Sequence, residues 1–308
     1  MRPVVLALTA LLLLLPTVVC AAPAALPTTG LNEQTGFIDI TPAHGGGAPT
    51  RMQYTMYRPD GPGPFPWLLV NHGRSRNPKS QPADRPLVLA RHMVARGYAV
   101  VAPMRRGFAS TPGTYRHNAC AYLRRIDADG WGTLDDWGFT EEAFDLHAFV
   151  NAFVRRPEVD RHRIVMVSQS GGFTSTLGYM TTPHAGALGY INFVGGGFSY
   201  CGGKEDLALT RQAGAHLGRH VKRPGLWIYA QQDSFVSAAT YRIMFNSFVA
   251  AGGKASWVVL APPIEEGHYM MGDERAVPTW WPSVEAFLQQ LNLPTEVRYR
   301  VVPDARRR

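Results

Sequence analysis

Six short runs, apolar throughout but for Asn192, recur along this chain: Trp67–Val70, Ala99–Ala102, Ile164–Val167, Tyr190–Val194, Leu226–Tyr229 and Trp257–Leu260. Each is too short for a buried helix and lacks the alternation of a strand with one wet face. Such runs read as strands covered on both sides. Helical stretches lie between them. Leu87–Arg96 stops at Gly97, a favoured helix terminator. Glu141–Arg155 opens with two acids after Thr140, which suits the positive end of a helix. Ala238–Ala251 ends at a Gly pair, and Trp281–Leu291 follows the last apolar run. Phe37–Ile40 and Met52–Tyr57 read as short strands around Gly45–Gly47, and Asp60–Pro66 as a turn. Alternating strands and helices predict an α/β fold with a mostly parallel central sheet and helices on both faces. In such a sheet, chemistry belongs beyond the carboxyl ends of the strands. The content of 45% hydrophobic residues excludes a disordered chain, and no repeat or low-complexity block is present.

One run leads directly into a candidate nucleophile. In Arg163–Phe173 the buried strand passes through Ser168-Gln169-Ser170-Gly171-Gly172 into a helix. A serine in a tight strand-to-helix turn, with small residues two positions to either side, is a nucleophile elbow. The neighbours must be small because the backbone there is strained and crowded. Gly172 meets that need, and Ser168 stands where Gly is usual. A loop serine after a strand is the plain alternative; the strand-before, helix-after context favours Ser170 as nucleophile.

A serine nucleophile needs a base and an orienting acid, expected in the order Ser, Asp or Glu, His. Of the histidines after Ser170, only His268 follows the last predicted strand, in Glu265-Glu266-Gly267-His268. His216 and His220 are spaced for one face of a helix and read as packed or solvated. The acid is expected just past Leu226–Tyr229, where Asp233 stands; its other reading is a turn former. Asp206 and Asp273 fit less well. Two backbone N–H groups would hold the oxyanion: that of Gly171, after the nucleophile, and one from the loop Asn71-His72-Gly73-Arg74. Arg74 is the expected second donor, with Gly73 as the alternative, and His72 reads as structural. Arg105-Arg106 reads either as a contact for an acidic substrate group or as a structural pair. No Cys/His cluster has zinc spacing and no phosphate loop occurs, so no metal and no cofactor is expected.

The N-terminus reads as an address. Met1-Arg2, the apolar stretch Val4–Leu15, Pro16 and a small uncharged region through Ala25 form a secretory signal peptide, with cleavage after Ala21. Residues 22–308 are then expected to form a single domain. The apolar stretch is too short to span a membrane, and no longer one follows. A lipoprotein modified at Cys20 ranks below simple secretion, because Val19 is β-branched. The expected location is therefore periplasmic or extracellular. In that oxidising setting Cys120 and Cys201 form an even pair. A bridge between them would contribute at most about 4–5 kcal/mol through loop closure.

Taken together, Val70–Ser75, Pro103–Gly107, Ser168–Gly172, Ile191-Asn192-Phe193 with its Gly run, and Leu226–Tyr229 leading to Asp233 resemble the α/β-hydrolase superfamily. More narrowly, residues 50–290 resemble secreted bacterial dienelactone-hydrolase-like proteins. The name-giving members use Cys as nucleophile, whereas Ser170 stands here. The resemblance also implies cysteines in two loops near Cys120 and Cys201, in keeping with the expected bridge. The expected function is a secreted serine hydrolase of the carboxylesterase class, cleaving small-molecule or polymeric esters through an acyl-enzyme. A prolyl-oligopeptidase-like peptidase or amidase is the second reading, and a catalytically silent binding protein on the same fold the third. The formal charge of +8 raises nucleic-acid binding. The basic residues are nonetheless scattered, the one dense cluster being Arg306–Arg308, and no binding motif appears. Nucleic acid is not an expected partner. The segment Tyr115–Trp137 is expected to form a loop or cap beside the site.

Overall fold

A computed structural model describes residues 26–42, 48–114, 140–196 and 207–302, together with 200–201 and 204–205. The expected signal peptide, the Gly45–Gly47 turn, the 115–137 segment, Cys120, Asp206 and the basic tail lie outside the described residues. Of Cys201 only the backbone is described, in a two-residue bridge.

The central sheet has eight strands: β1 (Gln34–Ile40), β2 (Thr50–Tyr57), β3 (Phe65–Asn71), β4 (Ala99–Pro103), β5 (Val159–Gln169), β6 (Ala187–Phe193), β7 (Gly225–Ala230) and β8 (Ala255–Leu260). Their spatial order is β1-β2-β4-β3-β5-β6-β7-β8. β1 and β2 are antiparallel, and β2 is antiparallel to β4. Every pair from β4 onward is parallel. All six apolar runs fall within strands, apart from Val194, which follows β6.

Helices α1 (Leu87–Val94), α2 (Thr140–Phe153), α3 (Gly172–Tyr179), α4 (Leu207–His220), α5 (Ala238–Ala250) and α6 (Val277–Gln290) cover the sheet. Alternate residues of each central strand enter two separate cores. Trp67, Leu69, Val101, Ile164, Met166, Tyr190, Trp227 and Tyr229 pack with α2, α3, α4 and α5. Leu68, Val70, Val100, Val165, Val167, Ile191, Phe193 and Ile228 pack with α1 and α6. A strand clad on both faces has no polar side to show, which is why the runs in β3 to β7 lack alternation; β8 departs from expectation, since it lies at the sheet's edge and is only half-buried.

Several strands begin earlier than expected, β1 at Gln34, β2 at Thr50 and β5 at Val159, and two further boundaries differ for identifiable reasons. β3 begins at Phe65, inside the expected turn, because the Phe65 N–H donates to the Glu158 carbonyl at 2.9 Å and starts the pairing early. Helix α6 begins at Val277, four residues before the expected Trp281. Pro278 lies in its first turn, where an N–H is not needed, and Pro282 is tolerated farther in. His216 and His220 lie on α4, whose buried face also includes Leu209, Ala213, Gly214 and Leu217.

Candidate active site

The pairing of β5 between β3 and β6 brings three strand ends level: Asn71, Ser168 and Asn192 are in register. Two residues later the chain turns sharply. Ser170 has φ +53°, a left-handed conformation that costs a non-glycine residue about 1–3 kcal/mol. Tertiary bonds enforce it. The Ser170 N–H donates to the Phe193 carbonyl at 3.1 Å, and the Ser170 carbonyl accepts from Phe173 at 3.1 Å and Gly196 at 3.2 Å. Gly172 then starts α3 so close to the end of β3 that a Cβ would overlap the carbonyl oxygens of Asn71 and His72. The small residue expected at that position is thus required by backbone, not by a movable side chain. Ser168 is fully buried, and its hydroxyl lies 3.4 Å from Asn192 Oδ1, so the extra hydroxyl is accommodated.

Asp233 and His268 come from the loops after β7 and β8. His268 Nδ1 lies 3.0 Å from Asp233 Oδ2 and 3.2 Å from Oδ1. Their side chains are 7% and 1% exposed, respectively. Asp233 Oδ1 also accepts from the Phe235 and Val236 N–H groups, each at 2.8 Å. A carboxylate accepts only, so the Nδ1 proton points to Asp233 and Nε2 remains free to act as a base. Ser170, Gly171, Gly73, Arg74 and His268 line one cavity of about 480 Å³, within the range for small-molecule sites. Among the described residues the Ser170 hydroxyl has no hydrogen-bond partner, so the two are neighbours in a pocket and not yet a bonded pair.

The expected oxyanion loops also meet. Gly73 lies against the Ser170 side chain, and a Cβ on Gly171 would overlap the Arg74 side chain. Gly171 is the N-cap residue of α3, and its N–H makes no bond among the described residues. The helix end adds positive potential there. His72 is structural, as expected. Its Nδ1 pairs with the Gly73 carbonyl at 2.8 Å, and its Nε2 accepts from the Arg105 N–H at 3.1 Å. Burial, aided by the nearby Arg105 charge, holds its pKa well below the usual histidine value. Arg105 and Arg106 are a structural pair. Arg105 donates to the His72 and Gly73 carbonyls at 2.9 and 2.6 Å and pairs with Glu142 at 3.3 Å. Arg106 grips Asp145 with two bonds of 2.9 and 2.7 Å. Asp273 caps a 3-10 turn and pairs with Arg275, clear of the pocket. His216 is buried in α4 and stacks on His220.

No family model matches the chain, and no curated protein matches it. Solved structures do. A dienelactone hydrolase-like promiscuous phosphotriesterase from metagenomic libraries aligns over 84% of this chain and 98% of its own, at 15% identity and a TM-score of 0.53. An acetyl xylan esterase from Paenibacillus sp. R4 aligns over 85% and 88%, at 16% identity and a TM-score of 0.53. The acylaminoacyl peptidase of Pyrococcus horikoshii aligns over 89% of this chain but only 43% of its own length, at 15% identity and a TM-score of 0.54. The fold is that of the α/β-hydrolases.

Within this α/β-hydrolase frame, several side chains that shape the site escaped sequence reasoning. The Glu266 carboxylate accepts from the His268 N–H at 2.9 Å and from the backbone and hydroxyl of Ser234. It therefore ties the His268 loop to the Asp233 loop. Burial works to raise its pKa, but these donors outweigh it and hold the carboxyl below the usual range. Gln169 donates to the His268 carbonyl at 3.1 Å. Asn192 bonds Tyr229, whose hydroxyl donates to the Gly195 carbonyl at 2.9 Å beneath the elbow. Glu266 carried one legible signal, an acidic cap directly before a short helix that begins with Gly-His. Gln169 and Asn192 lie in motifs the sequence singles out, but their contacts carried no signal, because the partners are distant in sequence.

Proposed function

We propose that this chain is a serine hydrolase that cleaves carboxylic esters. The observation that carries the reading is the strained elbow serine sharing one pocket with a histidine already oriented by a buried aspartate. Ser170 Oγ attacks the ester carbonyl carbon and passes its proton to His268 Nε2. The carbonyl oxygen becomes an oxyanion, held by the Gly171 N–H and by that of Arg74 or Gly73. Collapse expels the alcohol, which takes the proton from His268, and leaves an acyl-Ser170 ester. Water then repeats the sequence with His268 as base, releasing the acid and restoring Ser170. Asp233 stabilises the transient imidazolium. No step calls for a metal or cofactor. Small esters suit the cavity volume.

A fluorophosphonate probe should label the wild type stoichiometrically at Ser170. Ser170→Ala should abolish labelling and lower p-nitrophenyl acetate turnover by at least about 10³-fold. Labelling elsewhere, or full turnover by that variant, overturns the proposal. Parallel ester and anilide substrates separate an esterase from an amidase. Export with cleavage after Ala21 and a Cys120–Cys201 bridge belong to the same proposal. Mass spectrometry of the exported protein, before and after reduction, checks both.

A further inference from the structure

Two large apolar side chains stand in solvent where the core has no use for them. Phe235 is 54% exposed and Tyr269 58% exposed. They are separated by more than thirty positions in sequence yet flank one group, His268. The Phe235 ring lies 4.7 Å from the His268 ring, and the Tyr269 ring 5.8 Å. The two aromatic rings are 6.0 Å apart and inclined at 64° to each other. Both line the cavity that holds Ser170. They thus form an open corner, in which a flat ring laid on one face would meet the other edge-on, at separations usual for aromatic pairs.

We infer that this corner receives an aromatic ring on the leaving alcohol, so that the preferred substrates are esters of alcohols that bear an aromatic ring and no positive charge. This rests on the serine hydrolase reading. The assignment to the alcohol follows from proton transfer. His268 must protonate the departing oxygen, so that oxygen comes within about 2.6–3.2 Å of Nε2. Its substituent therefore begins beside His268, where Phe235 and Tyr269 stand. The acyl carbon, by contrast, is fixed at Ser170 and the oxyanion donors. Charge selects against a cationic ring. Arg74 and Arg76 line the same cavity, and no acidic side chain does among the described residues. The two loops reach the corner by short routes, since Phe235 follows Asp233 by two residues and Tyr269 follows His268 directly. Specificity and proton transfer are thereby carried on the same two loops.

Benzyl acetate and cyclohexylmethyl acetate test the inference. Their alcohols differ little in acidity, so the ratio of their kcat/KM values reports ring recognition and cancels general damage to catalysis. Wild type should favour benzyl acetate about tenfold, carried in KM. Tyr269→Ala and Phe235→Leu should each bring the ratio toward unity. Benzyl alcohol should bind Ser170→Ala more tightly than cyclohexylmethanol does in an NMR titration, and adding Tyr269→Ala should remove the difference. A wild-type ratio near one, or a ratio that survives both substitutions, overturns the inference. Ser170-dependent ester turnover would in that case leave the hydrolase reading intact. Absence of both probe labelling and ester turnover in wild type overturns the two together.

Discussion

The Glu266 carboxylate shows how much of a candidate site can depend on one side chain outside the cavity lining. It joins the loop after β7 to the loop after β8 through Ser234 and the His268 N–H. Removing it frees the His268 backbone while leaving the Asp233 contact in place. Glu266→Ala should lower kcat/KM by about 10- to 100-fold, as expected for a small misplacement of the base. Glu266→Gln, which keeps an acceptor, should recover part of the loss. The clamp also has a pH signature. Its folded-state pKa is depressed, so its stabilisation is present above the ordinary carboxylate pKa and is lost as pH falls through the lower folded value. Denaturant unfolding of wild type and Glu266→Gln should therefore differ at pH 7 and converge in strong acid. An equal difference at both pH values would count against the clamp.

Helix α2 is bound to the strand ends by charges that fold inward. Arg106 and Asp145 are both nearly buried and doubly bonded. Breaking a buried pair leaves a charge without compensation, at about 3–5 kcal/mol. Arg106→Met should show a loss of that size in chemical denaturation, and the double replacement Arg106→Met with Asp145→Leu should restore much of it. Arg105 has a second task, bracing the carbonyls of His72 and Gly73 from behind. At this scale the sequence was readable wherever the physics is local. A strand buried on both faces must be largely apolar, so β3, β4, β5, β6 and β7 announced themselves; β8 was also found by its apolar run, although it lies half-buried at the sheet's edge. The elbow was visible because crowding demands small residues at fixed offsets, and Asp233 and His268 because they follow particular strands. The direction of Arg105 and Arg106 was hidden. Their partners Glu142 and Asp145 lie nearly forty residues away on α2, and only the packing of α2 against the strand ends decides between a substrate contact and an internal pair. The start of α6 was hidden for a different reason, since two prolines argue against a helix unless one knows that Pro278 falls in its first turn.

Across the whole molecule, burial of histidine sets the expected response to acid. His72 is held well below the usual value, and His92, His147 and His216 are pushed down to about 4, 4 and 3, all chiefly by burial. The unfolded chain takes up protons on these rings near pH 6.5, whereas the folded chain does not. The sign is therefore fixed: stability falls as pH drops below about 6.5, with each ring contributing at most about 1.4 kcal/mol per pH unit. Urea midpoints should hold nearly level from pH 7.5 to about 6.5 and decline from there to pH 5. A flat profile would mean that these rings stay hydrated in the folded state.

The strand order has a consequence in time. β5, with the elbow, pairs centrally with β3 and β6, and all three precede residue 194. The proposed base lies beyond β8, which adds at the sheet's edge on β7 alone. Because chains emerge N-terminus first, the nucleophile's turn can be shaped long before any group exists to deprotonate it. If His268 is the base, a growing or C-terminally truncated chain would hold a bent but idle serine, and the proposed activity would arrive only after the last strand, with the His268 loop.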